Sequence, residues 1–197
     1  MQCDTSCDIQ LNLTMQTRRA LIILHAGFEE MEAVAPCDLL ARAGVELSLA
    51  SMTEELCVPG RSKLVLQAQH GWADAMAHSL YDAVILPGGP GVNALRRHPE
   101  LCQLLRRHHA AGKILACICA APLLLLDAGL LPEQYTAHPS TAAELPQAQT
   151  AACVRDGQLL TSRGAGTATE FGLALVAALT DQATCERIAQ AICWTKS

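Results

Sequence analysis

The sequence predicts an α/β fold in which a mostly parallel sheet is packed between two layers of helices, with a nucleophile elbow above the carboxyl edge of the sheet. Three stretches carry that prediction. Arg19 to Ser51 reads as strand, helix, strand, the βαβ unit whose right-handed crossover makes neighbouring strands parallel. Asp82 to Leu86 is a buried strand that runs into Pro87-Gly88-Gly89-Pro90-Gly91, where glycines let the backbone approach whatever lies above the strand ends. Lys113 to Leu126 (KILACICAAPLLLL) is a short apolar strand that bends into a helix at Cys119. Cys117 and Ala121, two residues to either side, are small, as a tight strand-to-helix turn requires.

The elements follow in order. RALIIL at Arg19 to Leu24 is an apolar run of strand length. After the loop His25 to Phe28, the segment Glu29 to Ala43 places Met31, Val34, Ala35, Leu39 and Leu40 at helical spacing and stops at Gly44. Val45 to Ser51 is the next strand. Leu56 to Val58 and Lys63 to Leu66, around Pro59-Gly60, predict a short hairpin projecting from the sheet. Leu101, Leu104, Leu105 and His108 mark a helix over Pro99 to Ala111, closed by Gly112. Ala151 to Val154 and Leu159 to Ser162 flank Asp156-Gly157, a two-residue hairpin signal, and Ala165 to Thr180 and Gln182 to Trp194 read as the last helices. Residues 1–16 are polar and aperiodic and read as a disordered extension, with Met15 an alternative start; residues 17–197 read as one domain.

Composition narrows the function. A chain of 197 residues that is 51% hydrophobic can bury one sizeable core. With a formal net charge of −5 and only the scattered basic doublets Arg18-Arg19, Arg96-Arg97 and Arg106-Arg107, it offers no footprint for nucleic acid or an anionic membrane. A small molecule or a protein is the expected substrate. The ten cysteines are dispersed, several in apolar runs (Cys37, Cys102, Cys193), and no secretory signal is seen, so reduced thiols in the cytoplasm are expected. Cys3 and Cys7 lack a second ligand pair at zinc spacing, and GGPG lacks the G-x-G-x-x-G spacing of a dinucleotide site; neither metal nor organic cofactor is expected.

Three loops that follow parallel strands should meet over the sheet: Gly27 to Glu32, Pro87 to Gly91, and the elbow. They bring together Glu32, the pair Gly88 and Gly89, and Cys119. A cysteine taken alone reads as buried and inert, but the small-residue elbow and the converging loops favour a nucleophile, with amides of the helix start stabilising its thiolate. Glu32 taken alone reads as a carboxylate satisfying a helix start. If it touches Cys119, two negative groups would repel, so one carries a proton; the expected arrangement is a neutral carboxylic acid donating to a thiolate. Glu29 and Glu30 are expected to face solvent. His138, downstream of the elbow, is the expected base or proton shuttle, while His108 and His109 are expected to decorate a helix; no H-x-E follows that would complete a Cys-His-Glu triad.

LIILHAGFEEMEAV, LPGGPG, ACICAAP, AHP and TSRGAGTATEFGLALV, in order between about Arg18 and Ala191, resemble the signature blocks of the ThiJ/PfpI superfamily, in its parkinsonism-associated deglycase and YajL-like branch. The resemblance implies a flavodoxin-like sandwich, a homodimer, a reactive Cys119 with Glu32 as its acidic partner, the backbone amides of Gly89 and Ala120 as an oxyanion site, and His138 nearby. The two-fold interface implied by relatives would use the Glu29 to Ala43 helix, with Met31, Val34 and Leu39 buried, beside the Leu56 to Leu66 projection. Arg42 and Arg61 would then sit near the pocket mouth with Gly88 and could bind an anionic substrate group. Three positions depart from the pattern. Ala120 stands where the superfamily's peptidases have histidine, which argues against proteolysis; Ala165 stands where relatives have proline; and Cys117 is either a core residue or a resolving thiol, the core being favoured because it points away from Cys119's approach.

Two functions follow as expectations. One is cofactor-independent detoxification of reactive dicarbonyls or their early glycated adducts, of glyoxalase or deglycase type, with protection against oxidative stress. The other is a non-enzymatic redox sensor or redox-regulated chaperone that uses Cys119 oxidation. A thiazole-phosphate role has no phosphate-binding loop to support it.

Overall fold

The computed structural model describes residues 17–77 and 80–195. Six strands form the main sheet: β1 (Arg19–Leu24), β2 (Glu46–Ser51), β5 (Ala83–Leu86), β6 (Ile114–Ile118), β7 (Cys153–Asp156) and β8 (Leu159–Ser162), in the order β2-β1-β5-β6-β8-β7. All pairings are parallel except β7 against β8. The remaining two strands, β3 (Cys57–Pro59) and β4 (Val65–Gln67), make a separate antiparallel hairpin.

The central strands are apolar without alternation because both faces are covered. Ala20, Ile22, Leu24, Ile85, Ala116 and Ile118 face a core built with α1 (Glu30–Arg42), α6 (Ala168–Leu179) and α7 (Gln182–Ala191). Leu21, Ile23, Val84, Leu86, Leu115 and Cys117 face the opposite core, built with α2 (Trp72–Ala77), α3 (Val92–Leu95), α4 (Pro99–Ala110) and α5 (Pro122–Asp127). Cys117 is therefore a core residue. The chain steps outward from β1 to β2 and returns to the other side of β1 with β5, so the topological switch lies between β1 and β5, where the loops leaving these strands must diverge and leave a crevice.

Several expectations are corrected. Within the single chain Met31 and Val34 do not share the buried stripe of Leu39 and Leu40 that their helical spacing predicts: they are 57% and 46% exposed, because α1 turns Ala33, Pro36, Leu39 and Leu40 inward and leaves its outer flank bare. The Gly157-Gln158 pair, not Asp156-Gly157, makes the β7–β8 turn: Asp156 pairs with Leu159, and Gly157 takes the positive φ of 58° that the tight turn needs. Ala165–Thr167 is a 3₁₀ turn before α6, and the last helix ends at Ala191. His108 does not decorate a helix surface; it is fully buried, its Nδ1–H donating to Leu104 O (2.9 Å) and its Nε2 accepting from Tyr81 N (3.2 Å). The short α2 and α3 carry too few apolar repeats to be seen in the sequence. Among the described residues no helix is long and apolar enough to cross a membrane. Residues 1–16, with Cys3 and Cys7, lie outside the described residues.

Close approach of α6 fixes α1 over the sheet. A Cβ on Gly172 would stand 2.6 Å from Leu39 Cδ1 and 3.1 Å from Pro36 Cα, so only glycine fits without displacement. Gly172→Val should destabilise the fold by about 1–3 kcal/mol through overpacking and lower Tm by several degrees. An unchanged melting curve would show that α1 can move away from α6 freely.

Candidate functional site

Cys119 directly follows β6 with a positive φ of 64°, a conformation that a non-glycine residue adopts only when its surroundings enforce it. Here they do. Cys119 N donates to Ser162 O on β8 (2.9 Å), and Cys119 O accepts from His138 N (2.8 Å), so backbone bonds pin the elbow from both sides. The Pro87–Gly91 loop lies against it with no space to spare: a Cβ on Gly88 would stand 2.6 Å from Cys119 Cβ and 2.9 Å from Ala120 N.

Glu32, in the first turn of α1, is 1% exposed and accepts from Gly88 N at Oε2 (2.8 Å). The Cys119 thiol lies close enough to this carboxyl for each group to act on the other's ionisation. Burial, outweighing the Gly88 and Cys119 hydrogen bonds, lifts the Glu32 carboxyl to about 7. Its Oε1 has no hydrogen-bond partner of its own, which a proton shared with the sulfur would remedy.

The expected stabilisation of a thiolate by helix amides is corrected in part. Burial first, and then the Glu32 charge, push the Cys119 thiol up to about 12, against the pull of the Gly89 and Ala120 amides. The following helix is only six residues long and starts at Pro122, too short and too far along to offset desolvation. The state of the neighbour decides the outcome: ionised Glu32 opposes a thiolate, whereas protonated Glu32 donates to one. The two groups titrate as one pair.

A cleft of about 400 Å³ opens over the pair, lined by Arg61, Gly89, Asn93, Cys119, Ala120 and His138 among others. His138 is exposed, and its Nδ1 contacts Ser140 Oγ (2.8 Å) and accepts from Ser140 N (3.2 Å). The proton of the neutral ring therefore sits on Nε2, so the ring presents a donor there. Arg61 reaches the cleft from the hairpin turn and pairs with Glu29 (3.0 Å). Arg42 does not reach the cleft within one chain; at the far end of α1 it pairs with Asp38 (2.8 Å). Glu29 and Glu30 are not free in solvent either, since Glu30 is buried and accepts from Ser62 N (2.7 Å), tying α1 to the hairpin. Among the described residues no three His, Cys, Asp or Glu side chains converge as metal ligands would.

Sequence reasoning missed the cleft wall. Arg96 bonds Asp127 through Nε (2.6 Å) and Nη2 (2.9 Å) and Glu144 through Nη1 and Nη2 (2.9 and 2.8 Å), tying the loop after His138 to α5. In the sequence Arg96 is half of a basic doublet, with nothing to point to partners 31 and 48 residues away.

Comparison with known proteins gives the same frame. Residues 18–178 match the model of the DJ-1/PfpI family. The chain is 34% identical to the Parkinson disease protein 7 homolog of Danio rerio over 82% of this chain and 89% of that one. It is 28% identical to the glutathione-independent glyoxalase DJR-1.2 of Caenorhabditis elegans, over 91% and 98%. The crystal structure of Drosophila melanogaster DJ-1beta superposes with a TM-score of 0.86 at 31% identity, covering 91% of this chain and all of that one.

The raised Glu32 carboxyl has a stability consequence. Its folded value, about 7, lies above its ordinary 4.5, so between these the folded state holds more protons than the unfolded one and stability falls as pH rises. Across that window the loss should be on the order of 2 to 3 kcal/mol, and Glu32→Gln should flatten it. Urea midpoints measured from pH 4.5 to 7 check this; parallel slopes in the two proteins would count against a buried, protonated Glu32.

Proposed function

Because the chain belongs to the DJ-1/PfpI family, we propose that it is a cysteine-dependent, glyoxalase- or deglycase-type enzyme that acts on small reactive dicarbonyls or the early adducts they form. The observation that carries this reading is the Cys119–Glu32 pair set under the Gly89 and Ala120 amides at the floor of one cleft. The Caenorhabditis elegans relative is a glutathione-independent glyoxalase, which supports the same reaction class. The Cys119 sulfur adds to the aldehyde carbon of methylglyoxal while Glu32 takes up the thiol proton, and the Gly89 and Ala120 amides hold the developing oxyanion. Glu32 passes the thiol proton on to that oxyanion, giving the neutral hemithioacetal; the freed carboxylate then takes the proton from the hemithioacetal carbon and returns it to the neighbouring carbonyl carbon as the hydroxyl proton shifts to the ketone oxygen, giving a thioester of the hydroxy acid. Water, oriented by His138, hydrolyses that thioester and restores the thiol. Each step balances without an external oxidant or reductant. With Ala120 after the nucleophile, proteolysis is not proposed, and the reduced cysteines fit a cytoplasmic setting.

Methylglyoxal consumption followed with D-lactate or L-lactate detection tests the reading. Cys119→Ser and Glu32→Ala should each lose at least a hundredfold in kcat/KM, as expected when a nucleophile or its proton partner is removed. Full activity in Cys119→Ser would sink it.

A second reading, a redox sensor or redox-regulated chaperone, is favoured by the same floor: a sulfinate on Cys119 has one oxygen for the Gly89 and Ala120 amides and another for a protonated Glu32. After mild peroxide, peptide mapping should find two added oxygens on the Cys119 peptide first, with buried Cys117 and Cys102 still thiols. Preferential oxidation of Cys57 or Cys193, which are exposed, would count against it.

A homodimer is part of the proposal. The bare flank of α1, with Met31 and Val34, and the exposed Leu64 and Val65 of the hairpin form the surface a second copy would cover. Such a partner is also what Arg42 would need to reach a cleft. Light scattering at micromolar concentration should give twice the chain mass, and a monomer mass would refute it.

A further inference from the structure

His25 is the first residue after β1 and is 3% exposed, yet the reaction described above makes no use of it. Its Nε2 lies 3.2 Å from Pro87 O and its Nδ1 3.3 Å from Ala26 O. Both partners are carbonyl oxygens, which can only accept. Neutral imidazole has one proton to give, on Nδ1 or on Nε2; with the proton on Nε2 the ring donates to Pro87 O.

The carbonyl of Pro87 and the N–H of Gly88 belong to one planar peptide group. At one edge of that group His25 Nε2 faces the oxygen at 3.2 Å; at the other the N–H donates to Glu32 Oε2 at 2.8 Å. A donor on a peptide oxygen polarises the group and strengthens the bond its N–H makes. At the next peptide Gly88 O accepts from Glu29 N (3.0 Å), and the Gly89 amide lies close enough to the Cys119 sulfur to draw its pKa down. The ring also fixes the loop sterically, since a Cβ on Gly91 would stand 2.6 Å from His25 Nδ1 and 2.0 Å from Ala26 O.

We infer that His25 is a positioning residue of the reacting centre: through the Pro87–Gly88 peptide it orients and strengthens the amide that holds Glu32, and so sets how the Cys119–Glu32 pair gives up its first proton. The inference takes from the proposed function only the premise that this pair is the reacting centre. Glu29 and Arg61 also act on Glu32, in opposite senses, and neither depends on His25. With the donor removed, Gly88 N–H binds the ionised carboxyl less well, and the pair loses its first proton at higher pH.

Iodoacetamide alkylation of Cys119, read by peptide mass across pH, tests this in His25→Leu, His25→Asn and His25→Gln. Gln places its amide nitrogen near the position of Nε2, and Asn near that of Nδ1. The acid limb of the profile should move up by about half a pH unit in the Leu and Asn variants and return close to that of the wild type in the Gln variant. One common limb for all four proteins, with only the melting temperature lowered, would overturn the inference and leave the ring as packing. If His25→Leu does not fold, the Asn and Gln variants decide by the same criterion. Methylglyoxal turnover on the same preparations separates the two claims. A displaced limb in proteins that never consume the dicarbonyl upholds the relay and sinks the substrate reading, whereas normal turnover with an unmoved limb does the reverse.

Discussion

Two consecutive peptide groups, Pro87–Gly88 and Gly88–Gly89, are clamped with their oxygens toward the β1 loop and their N–H groups toward Glu32 and Cys119, and the rest of the site depends on that clamp. His25 and Glu29 face the oxygens; Glu32 accepts from the first N–H group, and Cys119 lies beside the second. Hydrogen bonds to charged groups contribute roughly 1.5–3 kcal/mol each, enough to hold a loop that has no helix or strand of its own. The clamp closes only if Gly88 lacks a side chain, because a Cβ there would collide with Cys119 itself. Backbone geometry thus couples the switch point of the sheet to the chemistry of one sulfur.

The larger architecture supplies rigid anchors for each side of the clamp. Cys119 is held in a left-handed conformation by β8 and by the chain after α5, and Glu32 rides on α1, locked onto the sheet by α6 at Gly172. On the open side, the Arg96 bonds to Asp127 and Glu144 keep the wall that carries His138 in place. Burial then acts on both members of the pair in the same direction, favouring their protonated forms, so the pair passes from two protons to one near pH 7.

The parts of this site that follow from local sequence were legible in it. The apolar runs at Arg19 to Leu24 and Ile114 to Ile118 announce buried parallel strands, the small residues around Cys119 announce an elbow, and Gly88-Gly89 at a strand end announce a close backbone approach. What depends on distant partners was not legible. Helical spacing places Met31 and Val34 on an apolar stripe, but which stripe faces the sheet is decided by α6. Arg96 finds partners far along the chain, His25 sits in a loop without periodicity, and the tautomer of His138 is fixed by a serine two residues on. The lift of the thiol by burial was also out of reach, since desolvation is a property of the packed molecule and not of any motif.

The central claim is that Cys119 and Glu32 share one proton beneath the clamped peptides. Carbon NMR of the Glu32 carboxyl, titrated before and after methylthiolation of Cys119, tests it most directly. The account predicts a midpoint near 7 in the free protein and a clear displacement once the sulfur can no longer ionise. A Glu32 carboxyl that titrates near its ordinary 4.5 and does not respond to blocking Cys119 would contradict it.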